Sequence, residues 1–371
     1  MTESLHASLV PSTSNGRVRL LYIDLLRIVS MLMVFFHHIR AEIAPAKSWP
    51  PGFMNLGWGT LGFYIFILLS GFSLYLTAND QLSYYQFLKK RLLKIMIPYW
   101  VYFWALFVIR IFEGSINYKT INYKFLAISL TGLDTFVNPF YRISGYCVTD
   151  WFLGFIVLVY LVSPFVFQLY QKYNGKLLVV FFIISSLILT LYHHRLVERL
   201  PFVQLFTFLL GIFIADITYR HVDLLKVRIT FWSMFCGFIA ISLLPGGAVY
   251  SLWLRTICFA VFCVYVFKFI EENFIIIFKN SAVKTVISFG AQISFMFFLC
   301  HHQIIINFNR YCMSRKFQCL HQPVVIAVFL LIVTILVSWL LHRFAQFFIA
   351  RIQFETLGEK INYSSTNLGN S

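Results

Sequence analysis

The chain has 371 residues, of which 60% are hydrophobic and only 12% are charged. Soluble domains carry about 25% charged residues, so this composition excludes an ordinary soluble protein and indicates an integral membrane protein. The formal net charge of +16 would suit nucleic acid in a soluble protein, but here Lys and Arg cluster between apolar segments, where they set orientation. We therefore expect no nucleic-acid partner, while an anionic ligand remains compatible with the charge.

Apolar segments long enough to cross a bilayer recur along the chain, and the alternating strands of a membrane barrel do not. The pattern predicts an all-α polytopic membrane protein, a bundle of about ten transmembrane helices that contacts membrane lipid. The predicted spans lie near residues 20–39, 56–77, 95–112, 151–170, 177–193, 202–219, 231–244, 250–269, 286–308 and 324–349.

The distribution of positive charge predicts the orientation of the spans. One set of connections, which includes residues 78–94, residues 220–230 and both chain ends, carries more Lys and Arg than the opposite set. The positive-inside rule therefore places both termini in the cytoplasm. We expect a cytoplasmic tail over 1–19, a transmembrane domain over 20–350 and a cytoplasmic tail over 351–371. The N-terminal tail has no apolar core before a cleavage site, so we interpret the first span as an uncleaved insertion signal.

The first span carries ionisable side chains on one face. Arg27 and His38 are eleven residues apart, close to three helical turns, so they share a face and lie about 16 Å apart along the axis. Asp24 can pair with Arg27 at i,i+3, which lowers the cost of burying the arginine. His37 lies about 100° from His38 and is expected to face different neighbours. Such residues mark functional sites, and the alternative is a structural ion pair with an interfacial histidine.

The third span begins with a basic cluster at its cytoplasmic end. Lys90, Arg91 and Lys94 precede the apolar run, and Arg91 and Lys94 project together. Two interpretations remain open: the pair binds phosphates, or it belongs to the usual collar of cations that snorkel to the interface.

The ninth span contains Ser294 and His301, seven residues apart on one face. This separation is too long for a nucleophile pair, so none is expected. His301 is either a second polar ligand or a structural hydrogen-bonding residue.

The outer connections give weaker signals. Cys312 and Cys319 form a disulfide only if they face an oxidising compartment, and the seven cysteines show no metal spacing, so no metal is expected. The connection 113–150 is rich in Tyr and Asn, which suits sugars, although a plain surface loop explains it equally well. A further outer connection holds two adjacent histidines and a glutamate, which we interpret as a solvated loop: His193, His194 and Glu198.

Five segments in order resemble motifs of the acyltransferase-3 family, membrane enzymes that O-acetylate glycans. The segments are YIDLLRIVSMLMVFFHHI with Arg27 and His38, FYIFILLSGFSLYL, FLKKRLLKIMIPYW with Arg91, Lys94 and Pro98, WFLGFIVLVYLVSPF with Trp151, Tyr160 and Pro164, and ISFMFFLCHHQ with Ser294 and His301. The resemblance covers roughly residues 20–350. It has two departures: Lys94 replaces an arginine, which weakens bidentate phosphate binding, and Asp150 precedes Trp151 where many members have His-Leu.

The resemblance implies transfer of an acetyl or other short acyl group from cytoplasmic acyl-CoA to a hydroxyl on the outer side of a bacterial cytoplasmic membrane. The acceptor would be a surface or lipid-linked polysaccharide such as O-antigen or capsule. Acetyl-CoA would be a donor substrate, with no permanently bound cofactor. Arg27, Arg91 and Lys94 would bind the anionic donor. His38 would be the general base, favoured over His37 and His301 by its helical phase with Arg27.

Two other functions fit the same polar face. The first is an exporter or flippase of a polysaccharide or small anion, in which the face lines a permeation route. The second is a structural partner in a glycan-assembly complex, for which the arginine and histidine are dispensable. Oligomeric state does not follow from the sequence.

Overall fold

The computed structural model describes residues 19–54, 56–77, 83–117, 119, 121–134, 136, 151–192, 200–243, 249–314 and 322–368. Within these ranges the chain forms twelve α-helices: α1 (Leu21–Glu42), α2 (Trp58–Thr77), α3 (Tyr84–Phe112), α4 (Tyr123–Thr131), α5 (Trp151–Tyr173), α6 (Gly175–Leu191), α7 (Pro201–Ala215), α8 (Leu224–Leu243), α9 (Val249–Asn273), α10 (Ile275–Lys279), α11 (Ser281–Ser314) and α12 (Pro323–Leu368). A 3₁₀ turn (Ala44–Ser48) and two antiparallel two-residue strands, β1 (Gly52–Phe53) and β2 (Leu56–Gly57), connect α1 to α2.

The helices confirm the predicted fold class, an all-α polytopic membrane protein. Nine helices in the described ranges are long and apolar enough to cross a membrane, and the 17-residue α6 is apolar but shorter. At 1.5 Å per residue α6 spans about 26 Å, slightly less than the hydrocarbon core of a bilayer. These ten segments follow the ten predicted spans in order.

The helix ends differ from the predicted spans because a hydropathy window detects only the apolar part of a helix. α3 begins at Tyr84, where Ser83 forms a capping box: its side chain accepts from the Gln86 backbone N–H, and the Gln86 side chain accepts from the Ser83 N–H. α12 continues to Leu368, without a break at residue 350 where we expected a separate tail to begin. Both helices therefore extend beyond the predicted spans.

α2 occupies the centre of the bundle, packed between α1 and α7. Two glycines allow α2 and α7 to approach closely. A Cβ atom at Gly71 would lie 2.0 Å from the carbonyl oxygen of Phe208, and one at Gly211 would lie 2.0 Å from that of Leu68. Backbone contact of this kind is typical of membrane helices that pack through small residues. The contact fixes α2 beside α1, the helix that carries Arg27 and His38.

α1 is enclosed by α2, α9 and α11, so its polar face lies inside the bundle. The peripheral helices instead present large apolar side chains outward, such as Ile183 on α6, Trp232 on α8 and Phe347 on α12. An apolar exterior around an interior polar face is the arrangement expected of a protein surrounded by lipid.

Candidate active site

Arg27 is held at one end of α1 by an ion pair and a hydroxyl group. Its Nη1 donates to Asp24 Oδ1 at 3.0 Å, and its Nη2 donates to Ser73 Oγ on α2 at 2.6 Å. The other oxygen of Asp24 accepts from Arg19 Nε at 2.5 Å, so one buried carboxylate serves two guanidinium groups. The structure thus shows the Asp24–Arg27 pair that the i,i+3 spacing predicted. These bonds use two of the five N–H donors of Arg27, which leaves donors for a ligand.

Arg91 of α3 reaches the same end of α2. Its Nη2 donates to Thr77 Oγ1 at 2.5 Å, and its guanidinium group lies over the Phe87 ring, 5.8 Å from the centroid. Ser73 and Thr77 are four residues apart, so their hydroxyls lie on neighbouring turns of one helix face. Hydroxyls on neighbouring turns of α2 therefore hold Arg27 and Arg91.

Tyr160 of α5 completes this end of the site, because it lies within electrostatic range of both Arg91 and Arg27. Arg19 and Arg27 both donate to the carboxylate of Asp24, and Arg91, held by Thr77, adds a third guanidinium group at this end of α2. The excess of positive charge, on planar groups that can form paired hydrogen bonds, suits an anionic ligand such as a phosphate. We call Arg27, Arg91, Ser73 and Thr77 the arginine site.

Lys94, the other predicted donor-binding residue, lies nearly one turn beyond Arg91 on α3. Its side chain is exposed, whereas that of Arg91 is half-buried. The structure brings Arg27 and Arg91 onto one face of α2, and Lys94 lies at the edge of this arrangement.

Histidines of α1 and α11 gather at the opposite end of α1. The ring centroid of His38 lies 3.9 Å from that of His302, 5.1 Å from that of His301 and 5.3 Å from that of His37. His302 Nε2 lies 3.4 Å from Glu42 Oε1. We call His37, His38, His301 and His302 the histidine cluster.

The two neighbouring histidines of α1 face different helices, as their 100° offset predicted. His37 packs against α2, where a Cβ atom at Gly59 would lie 2.7 Å from its Cδ2. His38 packs against α11 and its two histidine rings.

His301 is buried between α1 and the apolar side chains of its own helix. Its Nδ1 lies 2.7 Å from the Phe298 carbonyl oxygen and 3.1 Å from that of Phe297. Ser294, the other predicted residue of this segment, donates to the Ala291 carbonyl oxygen at 2.8 Å. The structure shows Ser294 and His301 in separate hydrogen bonds, in keeping with their spacing.

A buried aspartate just beyond the end of α7 forms a polar network that the sequence did not lead us to expect. Asp216 Oδ1 accepts from the Tyr75 hydroxyl at 2.6 Å and lies 2.8 Å from His221 Nδ1, and Oδ2 accepts from the Tyr170 hydroxyl at 3.0 Å. The Arg220 guanidinium group lies 5.1 Å from the Tyr75 ring centroid. Asp216 begins a π-helical turn, a feature frequent at functional sites.

The Asp216 network holds the same segment of α2 that carries the arginine site, from the opposite side of the helix. Tyr75 lies on α2 between Ser73 and Thr77, the two residues that hold the arginines. A carboxylate that bonds Tyr75 of α2 and Tyr170 of α5 therefore fixes this segment of α2. An aspartate immediately after an apolar run was the available signal in the sequence.

Several residues singled out in the sequence fall outside the described ranges. Asp150, Cys319, His193, His194 and Glu198 lie outside the described residues, as does much of the connection 113–150. Cys312, the other cysteine of the proposed disulfide, forms no disulfide with any cysteine that the structure describes. Among the described residues, no group of three or more His, Cys, Asp and Glu side chains is arranged to hold a metal ion.

Comparison with known proteins identifies the family. A family model for an acyltransferase domain, Acyl_transf_3, matches residues 20–343 and so includes the arginine site and the histidine cluster. No curated protein and no solved structure matches the chain significantly. The family match covers most of the 371 residues. The chain therefore belongs to the acyltransferase-3 family and is a membrane acyltransferase.

Proposed function

We propose that this acyltransferase moves an acetyl or other short acyl group from cytoplasmic acyl-CoA to a hydroxyl of a surface or lipid-linked polysaccharide outside a bacterial cytoplasmic membrane. The observation that carries the proposal is the placement of two chemically different groups at opposite ends of α1. The arginine site lies at the end that the positive-inside rule assigns to the cytoplasm, and the histidine cluster lies at the other end.

The arginine site suits the phosphates of coenzyme A. Arg27 and Arg91 are held by hydroxyls on adjacent turns of α2, so their positions relative to each other are set before the ligand arrives. Preorganised guanidinium groups bind phosphate oxygens through paired, charge-assisted hydrogen bonds. Lys94 adds positive charge at the edge of the site.

The histidine cluster suits proton transfer. His38 is half-buried, and a neutral imidazole accepts a proton from a hydroxyl near neutral pH. In the proposed reaction His38 takes the acceptor proton while the hydroxyl oxygen attacks the thioester carbonyl carbon. The carbon–sulfur bond then breaks, and the leaving thiolate takes the proton from the imidazolium. The products are an ester and coenzyme A with a free thiol.

The distance between the two ends fits such a donor. Arg27 and His38 lie on the same unbroken helix, about 16 Å apart along its axis. Coenzyme A carries its thiol on a long pantetheine arm. Its phosphates can remain at the arginine site while the thioester reaches the histidine cluster.

The test measures ester-linked acetyl groups on the envelope polysaccharide by mass spectrometry in cells that carry His38→Ala, Arg27→Ala or the control His342→Ala. His342 lies on the peripheral helix α12. We expect loss of acetyl mass in the first two variants and wild-type mass in the control, with normal membrane insertion of all three. Full acetylation in the inserted His38→Ala variant would contradict the assigned base.

The same experiment separates acyl transfer from export. A transferase variant leaves polysaccharide at the cell surface without its acetyl groups. An exporter variant instead leaves polysaccharide inside the cell, and that result would favour a permeation route along α1.

A further inference from the structure

The two ring nitrogens of His301 have different environments. Nδ1 lies within hydrogen-bond distance of the carbonyl oxygens of Phe298 and Phe297, at 2.7 Å and 3.1 Å. A carbonyl oxygen can only accept, so Nδ1 must carry a proton. In the neutral ring Nε2 then has no proton and is a hydrogen-bond acceptor. The fold of α11 therefore fixes the tautomer of His301.

Nε2 of His301 is buried and has no hydrogen-bond partner among the residues that the structure describes. The residue as a whole is only 3% exposed, so bulk water does not satisfy this acceptor. Buried acceptors without a donor are uncommon in folded proteins, and a catalytic role is one of the explanations for them.

Among the rings that contact His301, that of His38 is the nearest that carries an N–H donor. Its ring centroid lies 5.1 Å from that of His301, about the separation at which one nitrogen of each ring can come within hydrogen-bond distance. The planes of the two rings are inclined by 56°. His302 is farther from His301, at 6.3 Å between centroids, and its Nε2 faces Glu42. The other rings against His301 belong to Phe297 and Phe298.

We propose that His301 is a positioning residue for His38. Its Nε2 accepts a hydrogen bond from one N–H of His38, which leaves the other nitrogen of His38 without a proton and directed at the acceptor hydroxyl. This assignment rests on the proposed function, in which His38 is the general base.

When His38 takes the acceptor proton, its bond to His301 becomes charge-assisted and therefore stronger as the transition state forms. The imidazolium then returns that proton to the departing thiolate. His301 keeps its Nδ1 proton throughout.

Two substitutions separate this role from a structural one. Asn places an N–H near the position of Nδ1, so His301→Asn keeps the bond to the backbone carbonyls and removes the Nε2 acceptor. Gln places an amide oxygen near the position of Nε2, so His301→Gln keeps an acceptor for His38. A positioning role predicts more activity in His301→Gln than in His301→Asn, and a structural role predicts the reverse order.

The experiment uses the full chain in membrane vesicles that contain the cell's own envelope polysaccharide, with radiolabelled acetyl-CoA as the donor. We expect His301→Asn to lower the maximal rate of ester formation about 10- to 100-fold, within the range of effects on proton transfer. The KM for acetyl-CoA and the thermal stability should stay near wild-type values. A wild-type rate in His301→Asn would overturn the assignment.

A double-mutant cycle with His38→Ala shows whether His301 acts through His38. If it does, His301→Asn lowers the rate in the wild-type background and has no further effect in the His38→Ala background. An equal loss in both backgrounds would show that His301 meets the substrate directly and would overturn the positioning role. A wild-type rate in His38→Ala alone would instead contradict the proposed function, so the two failures are distinguishable.

Discussion

Ser73 and Thr77 lie one turn apart on α2, and each hydroxyl accepts a hydrogen bond from an arginine of a different helix. Ser73 holds Arg27 of α1, and Thr77 holds Arg91 of α3. α2 therefore sets the spacing between two guanidinium groups that come from distant parts of the sequence. A donor with several phosphates is sensitive to that spacing.

Replacing Thr77 by Val removes the hydroxyl that holds Arg91 at almost constant side-chain volume. Because one hydrogen bond to a charged group is lost, we expect the KM for acetyl-CoA to rise about 3- to 10-fold, with little change in kcat. Initial rates over a range of acetyl-CoA concentrations give both constants. Thr285→Val is the control, since the Thr285 hydroxyl donates to the Ser281 carbonyl oxygen of its own helix and to no other group in the described part of the chain. An unchanged KM with a reduced kcat would argue against donor binding at this position.

Arg91 and Lys94 should differ in importance although both were predicted to bind the donor. Arg91 is half-buried and oriented by Thr77, whereas Lys94 is exposed. Lysine cannot reproduce the planar, two-pronged guanidinium group, so we expect Arg91→Lys to lower kcat/KM by about tenfold or more. Lys94→Met should lower it less than threefold, an effect of about 0.6 kcal/mol or less. Equal losses in the two variants would show that the phosphate site extends to Lys94.

The sequence was most informative about relationships within a single helix. The Asp24–Arg27 pair and the different neighbours of His37 and His38 follow from helical periodicity, which fixes the direction of each side chain around its own axis. Periodicity does not say which helix lies opposite. Ser73 as the partner of Arg27 depends on how α1 packs against α2.

Helical periodicity also does not show which helices meet at the histidine cluster. The sequence indicated His301 as a candidate, but its approach to His38 depends on the packing of α11 against α1. Asp216 was missed because its tyrosine partners come from α2 and α5, far away in the sequence. Close packing of the central helices depends on glycines such as Gly71, whose role becomes visible only when the opposing backbone is known.

The contact between α2 and α7 should tolerate no added side-chain atoms. A Cβ atom at Gly71 or Gly211 would lie 2.0 Å from a backbone carbonyl oxygen, and backbone cannot move aside as a flexible side chain does. We expect Gly71→Ala and Gly211→Ala each to cost about 1–3 kcal/mol of stability. Thermal unfolding of the purified protein in detergent measures the loss. Gly175→Ala is the control, because nothing lies within 4 Å of a Cβ atom there. Wild-type stability in Gly71→Ala would mean that the two helices are farther apart.

Asp216 should matter for both stability and donor binding. In Asp216→Asn only one side-chain oxygen remains, and it is neutral, so one buried tyrosine hydroxyl loses its acceptor and the other keeps only an uncharged one. We expect a loss of about 1.5–3 kcal/mol and a raised KM for acetyl-CoA, because Tyr75 lies between Ser73 and Thr77. Thermal unfolding and initial rates test the two effects. A raised unfolding temperature or an unchanged KM would contradict the link to the arginine site.

Asp223→Asn is the matched control for Asp216→Asn. Asp223 lies outside the spans, and hydrogen bonds from Lys226 hold the pKa of its carboxyl below the ordinary value. A lowered pKa stabilises the fold above the ordinary pKa of an aspartate, and this contribution is lost as the pH falls through the lowered value. Because the pair is exposed, Asp223→Asn should leave stability at neutral pH almost unchanged.

In the proposed reaction the acyl group passes from the arginine-site face of the membrane to a hydroxyl on the histidine-cluster face. The most direct measurement supplies radiolabelled acetyl-CoA to sealed vesicles of either orientation and follows ester-linked label on the polysaccharide. We predict labelling when acetyl-CoA contacts the cytoplasmic face, with the label on the opposite side, and only a low residual rate of labelling in His38→Ala vesicles. Equal labelling from both faces, or label only on polysaccharide at the cytoplasmic face, would contradict transfer across the bundle.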